Sequence, residues 1–206
     1  MKRKIAILGS TGSIGRSTLE VINKNKNNFD IVLLTANNNY KKLISQAKYF
    51  KVKNVLIYNK RYYYDVRNAL RKTKTKVYSG NVPITKIVFK KLDYTMSAIV
   101  GIAGLQPTIE SIKLSKVVAL ANKESIICGW DILQKFIKKN KTTILPVDSE
   151  HFSIKELTTN IKDEDVEEII ITASGGPFLY TPKNKLANIT PNEAIRHPNW
   201  KMGKKI

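Results

Sequence analysis

Apolar runs recur along the first two thirds of the chain, and polar stretches with helical spacing separate them. The runs predict strands over 3–8, 30–36, 54–58, 76–78, 95–100, 117–120 and 142–145. The stretches between them predict helices over 17–23, 41–50, 62–72, 84–91 and 107–114, and a long one from 121 to 139. The strands are apolar almost throughout, as in Asp30-Ile31-Val32-Leu33-Leu34-Thr35-Ala36, instead of alternating. Continuous apolarity is the mark of a strand covered on both faces, and strand–helix repetition of this kind builds a parallel sheet. The fold class is therefore α/β, a doubly wound parallel sheet. Beyond His151 the rhythm changes. Residues 166–174 predict a new strand, and Gly175-Gly176-Pro177-Phe178 a sharp turn. Thr190 and Pro191 read as the cap and first position of a short helix. The reading places one domain over 1–147 and the start of a second, α+β domain over 148–206.

The turn after the first strand adds a ligand to this picture. Gly9-Ser10-Thr11-Gly12-Ser13-Ile14-Gly15 stands between a strand and a helix, the context that gives a glycine fingerprint meaning. Gly9 permits the turn, Gly12 lets a pyrophosphate approach the backbone, and Gly15 lets helix and strand pack closely. Free N–H groups at the helix start face the phosphates. The fold is thus Rossmann-type. After the second strand come Asn37-Asn38-Asn39, with Lys41 and Lys42 beyond. With no acid for ribose hydroxyls and a basic neighbourhood, NADP is favoured over NAD. Asparagine also suits an ordinary loop or helix cap. Gly101-Ile102-Ala103-Gly104 either admits a ligand to the backbone or simply ends a strand.

The strand over 142–145 runs into Pro146-Val147-Asp148-Ser149-Glu150-His151. On an extended backbone Asp148 and Glu150 point the same way and can share a hard cation. The alternative is a capped helix start, with Asp148 or Ser149 as the cap. His197, between Arg196 and Trp200, is either a core histidine or a phosphate contact.

Composition excludes more than it adds. The 206 residues carry a formal charge of +20, which invites nucleic acid as a partner. But the cations are 30 Lys against 6 Arg, spread along the chain with 18 Asn, and base readout leans on Arg. The distribution reads as solvated faces, so nucleic acid is not the expected partner. No apolar stretch approaches the ~20 residues of a membrane span, and the run after Met1-Lys2-Arg3-Lys4 stops at Leu8, too short for a secretory signal. The single cysteine, Cys128, excludes an internal disulfide framework and fits a reducing compartment, with packing as its role.

Five segments together resemble the deoxyxylulose-phosphate reductoisomerase family: GSTGSIG at 9–15, ANKES at 121–125, LPVDSEH at 145–151, SGGPF at 174–178, and RHPNW with MGKKI at 196–206. They stand in the family's order and span almost the whole chain. The resemblance implies an NADPH-dependent and Mg²⁺- or Mn²⁺-dependent oxidoreductase and isomerase. It rearranges deoxyxylulose phosphate and reduces the product to methylerythritol phosphate in isoprenoid synthesis. By matching motif, Thr11, Gly12, Ser13 and Ile14 line the cofactor phosphates, and Asn37, Asn38 and Asn39 surround the adenosine ribose. Asn122, Glu124 and Gly203 also meet the cofactor. Asp148 and Glu150 hold the metal. Lys123, Ser149, Ser174, His197 and Trp200 meet the sugar phosphate, with Lys123, Asp148, Glu150 and His197 as the catalytic set. The first domain becomes the NADPH-binding one and the second an incomplete catalytic one. The setting is the bacterial cytoplasm or a plastid-type organelle, and a longer chain would pair as a homodimer.

Three departures stand beside the resemblance. Asn38 replaces a basic residue at the adenosine end, which weakens strict preference for NADPH. Lys155-Glu156 follows Ile154 where the family runs on with an apolar and Gln segment. The sequence stops before the family's next motif, a Ser, Asn and Lys loop ending in a third metal-binding Glu. These residues alone are therefore expected to bind NADPH weakly and turn over little. Two other readings compete with this one. A semialdehyde dehydrogenase needs a cysteine nucleophile at the sheet edge, which Cys128 in mid-helix does not supply. A degenerate Rossmann domain would bind nucleotide or RNA without catalysis.

Overall fold

The first apolar run forms β1 (Arg3–Leu8), and its inner four residues, Ile5 to Leu8, are buried. The structure, a computed structural model, describes residues 2–171, 175–196 and 198. The predicted roles of Ser174, His197, Trp200 and Gly203 fall outside these residues. After β1 the chain continues through α1 (Ser13–Lys24), β2 (Phe29–Ala36), α2 (Tyr40–Phe50), β3 (Asn54–Ile57), α3 (Tyr63–Leu70) and β4 (Lys76–Ser79). It then returns through β5 (Leu92–Ser97), α4 (Leu105–Leu114), β6 (Ser115–Leu120), α5 (Lys123–Asn140) and β7 (Thr143–Pro146). All strand pairs are parallel, in the order β4-β3-β2-β1-β5-β6-β7. The α/β class and the parallel sheet agree with the sequence reading.

The order has a functional consequence. From β1 the chain steps outward to β4, then crosses back to add β5 on the other side of β1. The loops leaving β1 and β5 diverge, and open sheets bind ligands at such a switch point. Packing holds the edge in place from both faces. On one face Ile5, Ile7, Leu34, Val55 and Ile57 pack with Leu19 and Ile22 of α1, Leu43 and Ala47 of α2, and Val66 and Leu70 of α3. On the other, Ala6, Leu8, Leu33 and Leu56 meet Ile84, Ile87 and Val88. Ile109 and Ile112 of α4 and Leu133 of α5 cover Val118 of β6. Each of these Val, Leu and Ile side chains contributes about 1.5–3 kcal/mol on burial.

Three expectations are corrected. Residues 84–91 do not form a helix; Ile84–Lys86 makes one 3-10 turn. Ile84, Ile87 and Val88 have helical spacing, yet one turn already buries them, and the buried Glu110 carboxylate accepts the Ile84 N–H to anchor it. The described part of the predicted strand over 166–174 is not a strand: Ile169, Ile170 and Ile171 are 56%, 73% and 68% exposed. An apolar run needs a neighbouring strand to become one, and none pairs with it among the described residues. Finally, Glu150 does not lie on an extended backbone. It is in the first turn of α6 (Ser149–Thr158), so the capped-helix alternative holds at this position.

Cα packing divides the chain into Met1–Leu157 and Thr158–Ile206. The second unit contains the expected short helix, α7 (Pro191–Ala194). Thr190 caps it, and the Thr190 hydroxyl and Glu193 carboxylate form a reciprocal capping box.

Candidate functional site

The turn after β1 is tied to β2 before any ligand arrives. The Gly9 N–H donates to the Thr35 hydroxyl at 3.0 Å, and the Ser10 N–H to the Thr35 carbonyl at 2.9 Å. The Ser10 hydroxyl donates to Gln46 Oε1 at 2.8 Å, and Gln46 Nε2 returns a bond to the Ser10 carbonyl at 2.9 Å, joining the turn to α2. Thr35 and Ser10 are fully buried. Gly9 has φ +76°, and a Cβ there would meet the Ala98 carbonyl oxygen of the β5 loop at 2.6 Å. A Cβ on Gly15 would strike the Gly9 carbonyl and sit 2.6 Å from Ser10 Cα. Gly15 thus presses α1 against the turn itself. α1 begins at Ser13 with Gly12 as its cap residue, and among the described residues no side chain caps its first N–H groups. A pinned turn ending in an uncapped helix start is built for an anion.

The loop after β2 lies on the same edge. Asn39 caps α2 by accepting the Lys42 N–H at 3.2 Å, and Asn38 Oδ1 accepts from Asn59 Nδ2 at 2.8 Å. Two of the three asparagines predicted at the ribose therefore have their side-chain oxygens engaged in the fold. All three are exposed.

Across the switch point, Asn122 is only 2% exposed and fully committed. Its amide group donates to the Ile99 carbonyl and, at 2.9 Å, to the Gly101 carbonyl. Its oxygen accepts the Ser125 N–H at 2.7 Å as the cap of α5. The Asn122 side chain thus has a structural duty at this edge: it locks the β5 and β6 loops together. Lys123 is exposed and Glu124 half-buried in the first turn of α5. The buried Ser125 hydroxyl has no hydrogen-bond partner among the described residues.

At the end of β7, the Val147 N–H still donates to the Leu120 carbonyl at 3.2 Å, and the chain then turns into α6. Asp148 Oδ1 accepts the His151 N–H at 3.0 Å and lies 2.6 Å from His151 Nδ1. Partial burial pushes the Asp148 carboxyl up, but the His151 amide and imidazole outweigh it, so the group is held below the ordinary carboxylate range. Glu150 is exposed, and its Oε2 accepts from the Ser149 hydroxyl at 3.2 Å. Carboxylate oxygens suit Mg²⁺ or Mn²⁺. Among the described residues no group of three or more His, Cys, Asp or Glu side chains gathers as a metal cage. Asp148 and Glu150 are thus a partial donor set of the right chemistry.

The predicted residues 11–14, 37–39, 122–124 and 148–150 all follow carboxyl ends of strands in one sheet, on one edge. Sequence reasoning missed Thr35 and Gln46, which hold the glycine turn in place, and missed that His151 pairs with Asp148. Thr35 was visible only as one polar residue in an apolar strand. Among the described residues no helix is long and apolar enough to cross a membrane.

Residues 5–129 match the family model described as 1-deoxy-D-xylulose 5-phosphate reductoisomerase, and residues 144–206 match that of its C-terminal domain. A relative of that name from Pelagibacter ubique is 51% identical over 99% of this chain and 53% of its own length. Another from Wolbachia pipientis is 45% identical over 99% of this chain and 52% of its own. The chain spans about half the length of the curated relatives it matches. Among solved structures, the Zymomonas mobilis reductoisomerase in complex with NADPH superposes with a TM-score of 0.89 at 39% identity, over 96% of this chain and 52% of that one. A reductoisomerase in complex with NADPH, fosmidomycin and magnesium gives 0.87 at 33% identity, over 98% and 52%.

Proposed function

As the chain belongs to the 1-deoxy-D-xylulose 5-phosphate reductoisomerase family, we propose that it serves that reaction: rearrangement of deoxyxylulose phosphate and its reduction by NADPH to methylerythritol phosphate. Residues 1–147 form the NADPH-binding part and 148–206 the beginning of the catalytic part. The observation that carries the reading is the glycine turn, pinned to Thr35 and Gln46 and opening into an uncapped helix at the switch point.

Thr11, Gly12, Ser13 and Ile14 offer backbone N–H groups and hydroxyls to the cofactor pyrophosphate. Asn37 and the loop it begins meet the adenosine ribose. Asn122 holds the β5 and β6 loops at the spacing the cofactor needs, and Glu124 lies beside it. Lys123, exposed at the start of α5, meets the negative charge of the sugar phosphate. Asp148 and Glu150 hold Mg²⁺ or Mn²⁺, with Asp148 kept ionised and oriented by His151. When bound, the cation polarises the substrate's oxygens and NADPH supplies the hydride. By resemblance alone, Ser149, Ser174, His197 and Trp200 contact the substrate and Gly203 the cofactor. A homodimer, a bacterial cytoplasmic setting and no role for nucleic acid complete the reading; the relatives named above are bacterial.

The test has two parts. Saturable NADPH binding, followed by quenching of indole emission, is expected and should be abolished by Ser13→Glu at the helix start. The protein as its own cells make it should oxidise NADPH when given deoxyxylulose phosphate and Mn²⁺. Absence of saturable NADPH binding, with RNA binding that falls steeply as salt rises, would overturn the reading.

A further inference from the structure

Position 38 is a neutral asparagine. A 2′-phosphate carries close to two negative charges, and the loop nearest the adenosine ribose answers with three neutral asparagines. Two of them already spend a side-chain oxygen on Asn59 or on the start of α2. Selection of NADPH over NADH needs charge from elsewhere.

A groove of about 310 Å³ between α1 and α2 holds that charge. Arg16, in the first turn of α1, and Lys42, in the first turn of α2, line it from opposite sides. Its wall includes Gln46, the residue bonded to Ser10 of the glycine turn. Through Gln46 the groove is linked to the turn proposed for the pyrophosphate, and through Lys42, whose N–H donates to Asn39, to the loop proposed for the ribose. Both cations are exposed, and neither forms an ion pair among the described residues. The groove's one carboxylate, Glu20, stands a turn further along α1 than Arg16.

We propose that Lys42 and Arg16 together select the 2′-phosphate of NADPH, in place of the basic residue that position 38 lacks. Lys42 approaches as a mobile point charge and Arg16 as a planar donor, each forming a charge-assisted bond to phosphate oxygens. NADH has a hydroxyl there and gains nothing from either. The proposal rests on the dinucleotide reading of the same site and names what sets its specificity.

The experiment is a parallel titration with NADPH and NADH of the wild-type protein, Lys42→Ala, Arg16→Ala, Lys42→Arg and a distant control, Lys48→Ala. The Lys42 side chain takes no part in the cap of α2, which uses its backbone N–H, so far-ultraviolet dichroism should be unchanged. Each alanine variant at 42 and 16 is expected to lose at least about tenfold in NADPH affinity while NADH affinity stays within about twofold. Lys42→Arg should retain most of the preference, and Lys48→Ala all of it. Equal losses for both cofactors, or no loss for NADPH, would overturn the proposal. Wild-type protein that binds NADH as tightly as NADPH overturns it too, yet leaves the dinucleotide reading standing. Wild-type protein that binds neither overturns both.

Discussion

The Asn122 amide donates to the carbonyl oxygen of Gly101 at 2.9 Å, across the gap between the β5 and β6 loops, while its own oxygen caps α5. One buried side chain thus fixes two loops and one helix at the carboxyl edge. Asn122→Ala removes a cap, worth about 1 kcal/mol, and leaves the part-buried Ile99 and Gly101 carbonyls without their donor, at about 1–3 kcal/mol. A loss of about 2–4 kcal/mol in urea unfolding is expected, with m unchanged. Asn122→Asp keeps the cap acceptor but cannot donate, and should recover only the capping part. A loss much below 1 kcal/mol in Asn122→Ala would mean that the amide is free to serve a ligand instead.

Gly15 presents the same logic in steric form. An added methyl has no open direction, since the Gly9 carbonyl and the Ser10 backbone occupy its place and neither is the end of a flexible side chain. Gly15→Ala must push α1 away from the turn. Overpacking of this kind costs about 1–3 kcal/mol and should also weaken NADPH binding, because the helix start is displaced from the phosphates. Gly12→Ala is the comparison: its Cβ would meet only the Gly9 carbonyl oxygen, at 3.4 Å. Unfolding midpoints of the two variants should therefore differ clearly, and equal midpoints would count against this packing.

Tyr58 gives a pH dependence on the alkaline side. Burial, then the nearby Glu110 carboxylate, push its phenol up to about 12, with the Thr35 hydroxyl opposing them. An unfolded tyrosine ionises near about 10. Below that, both states hold the proton and stability does not depend on this group. Between about 10 and about 12 the unfolded chain releases its proton first, so stability falls as pH rises. Tyr58→Phe removes this contribution. Urea midpoints measured from pH 8 to pH 11 should fall less steeply in the variant than in the wild type.

Much of this was readable from the chain because a strand covered on both faces leaves a continuous apolar run, as Asp30 to Ala36 does. The glycine turn was readable because its neighbours were. What failed to show depended on pairings distant in sequence. The helical spacing of Ile84, Ile87 and Val88 is satisfied by one 3-10 turn because Glu110, far along the chain, holds the Ile84 N–H. Thr35, Ser10 and Gln46 look unremarkable singly and act only as a set. The run over Ile169 to Ile171 has strand composition but no strand beside it among the described residues, and composition alone does not report a partner. At Asp148 the residues fitted two readings, a cation pair or a helix cap, and the backbone supplied the helix.

That helix start yields the last prediction, since there the cap and the proposed metal ligand are one carboxylate. Asp148 Oδ1 takes both the His151 N–H and the imidazole, and these outweigh the burial that pushes the carboxyl up, leaving it below its ordinary range. A folded-state value below the unfolded one contributes stability above about pH 4, the unfolded range, and loses it as pH falls through the folded value. His151→Ala deletes the imidazole and keeps the backbone bond. The carboxyl should then titrate higher, because burial is opposed by less. Carbon-detected NMR of the Asp148 side chain, recorded from pH 2 to pH 6, reads this directly. The same variant should bind Mn²⁺ more weakly, since a carboxylate freed from its imidazole can rotate away from the position that serves a cation. An Asp148 titration unchanged by the substitution, together with unchanged Mn²⁺ binding, would show that His151 neither charges nor orients the ligand.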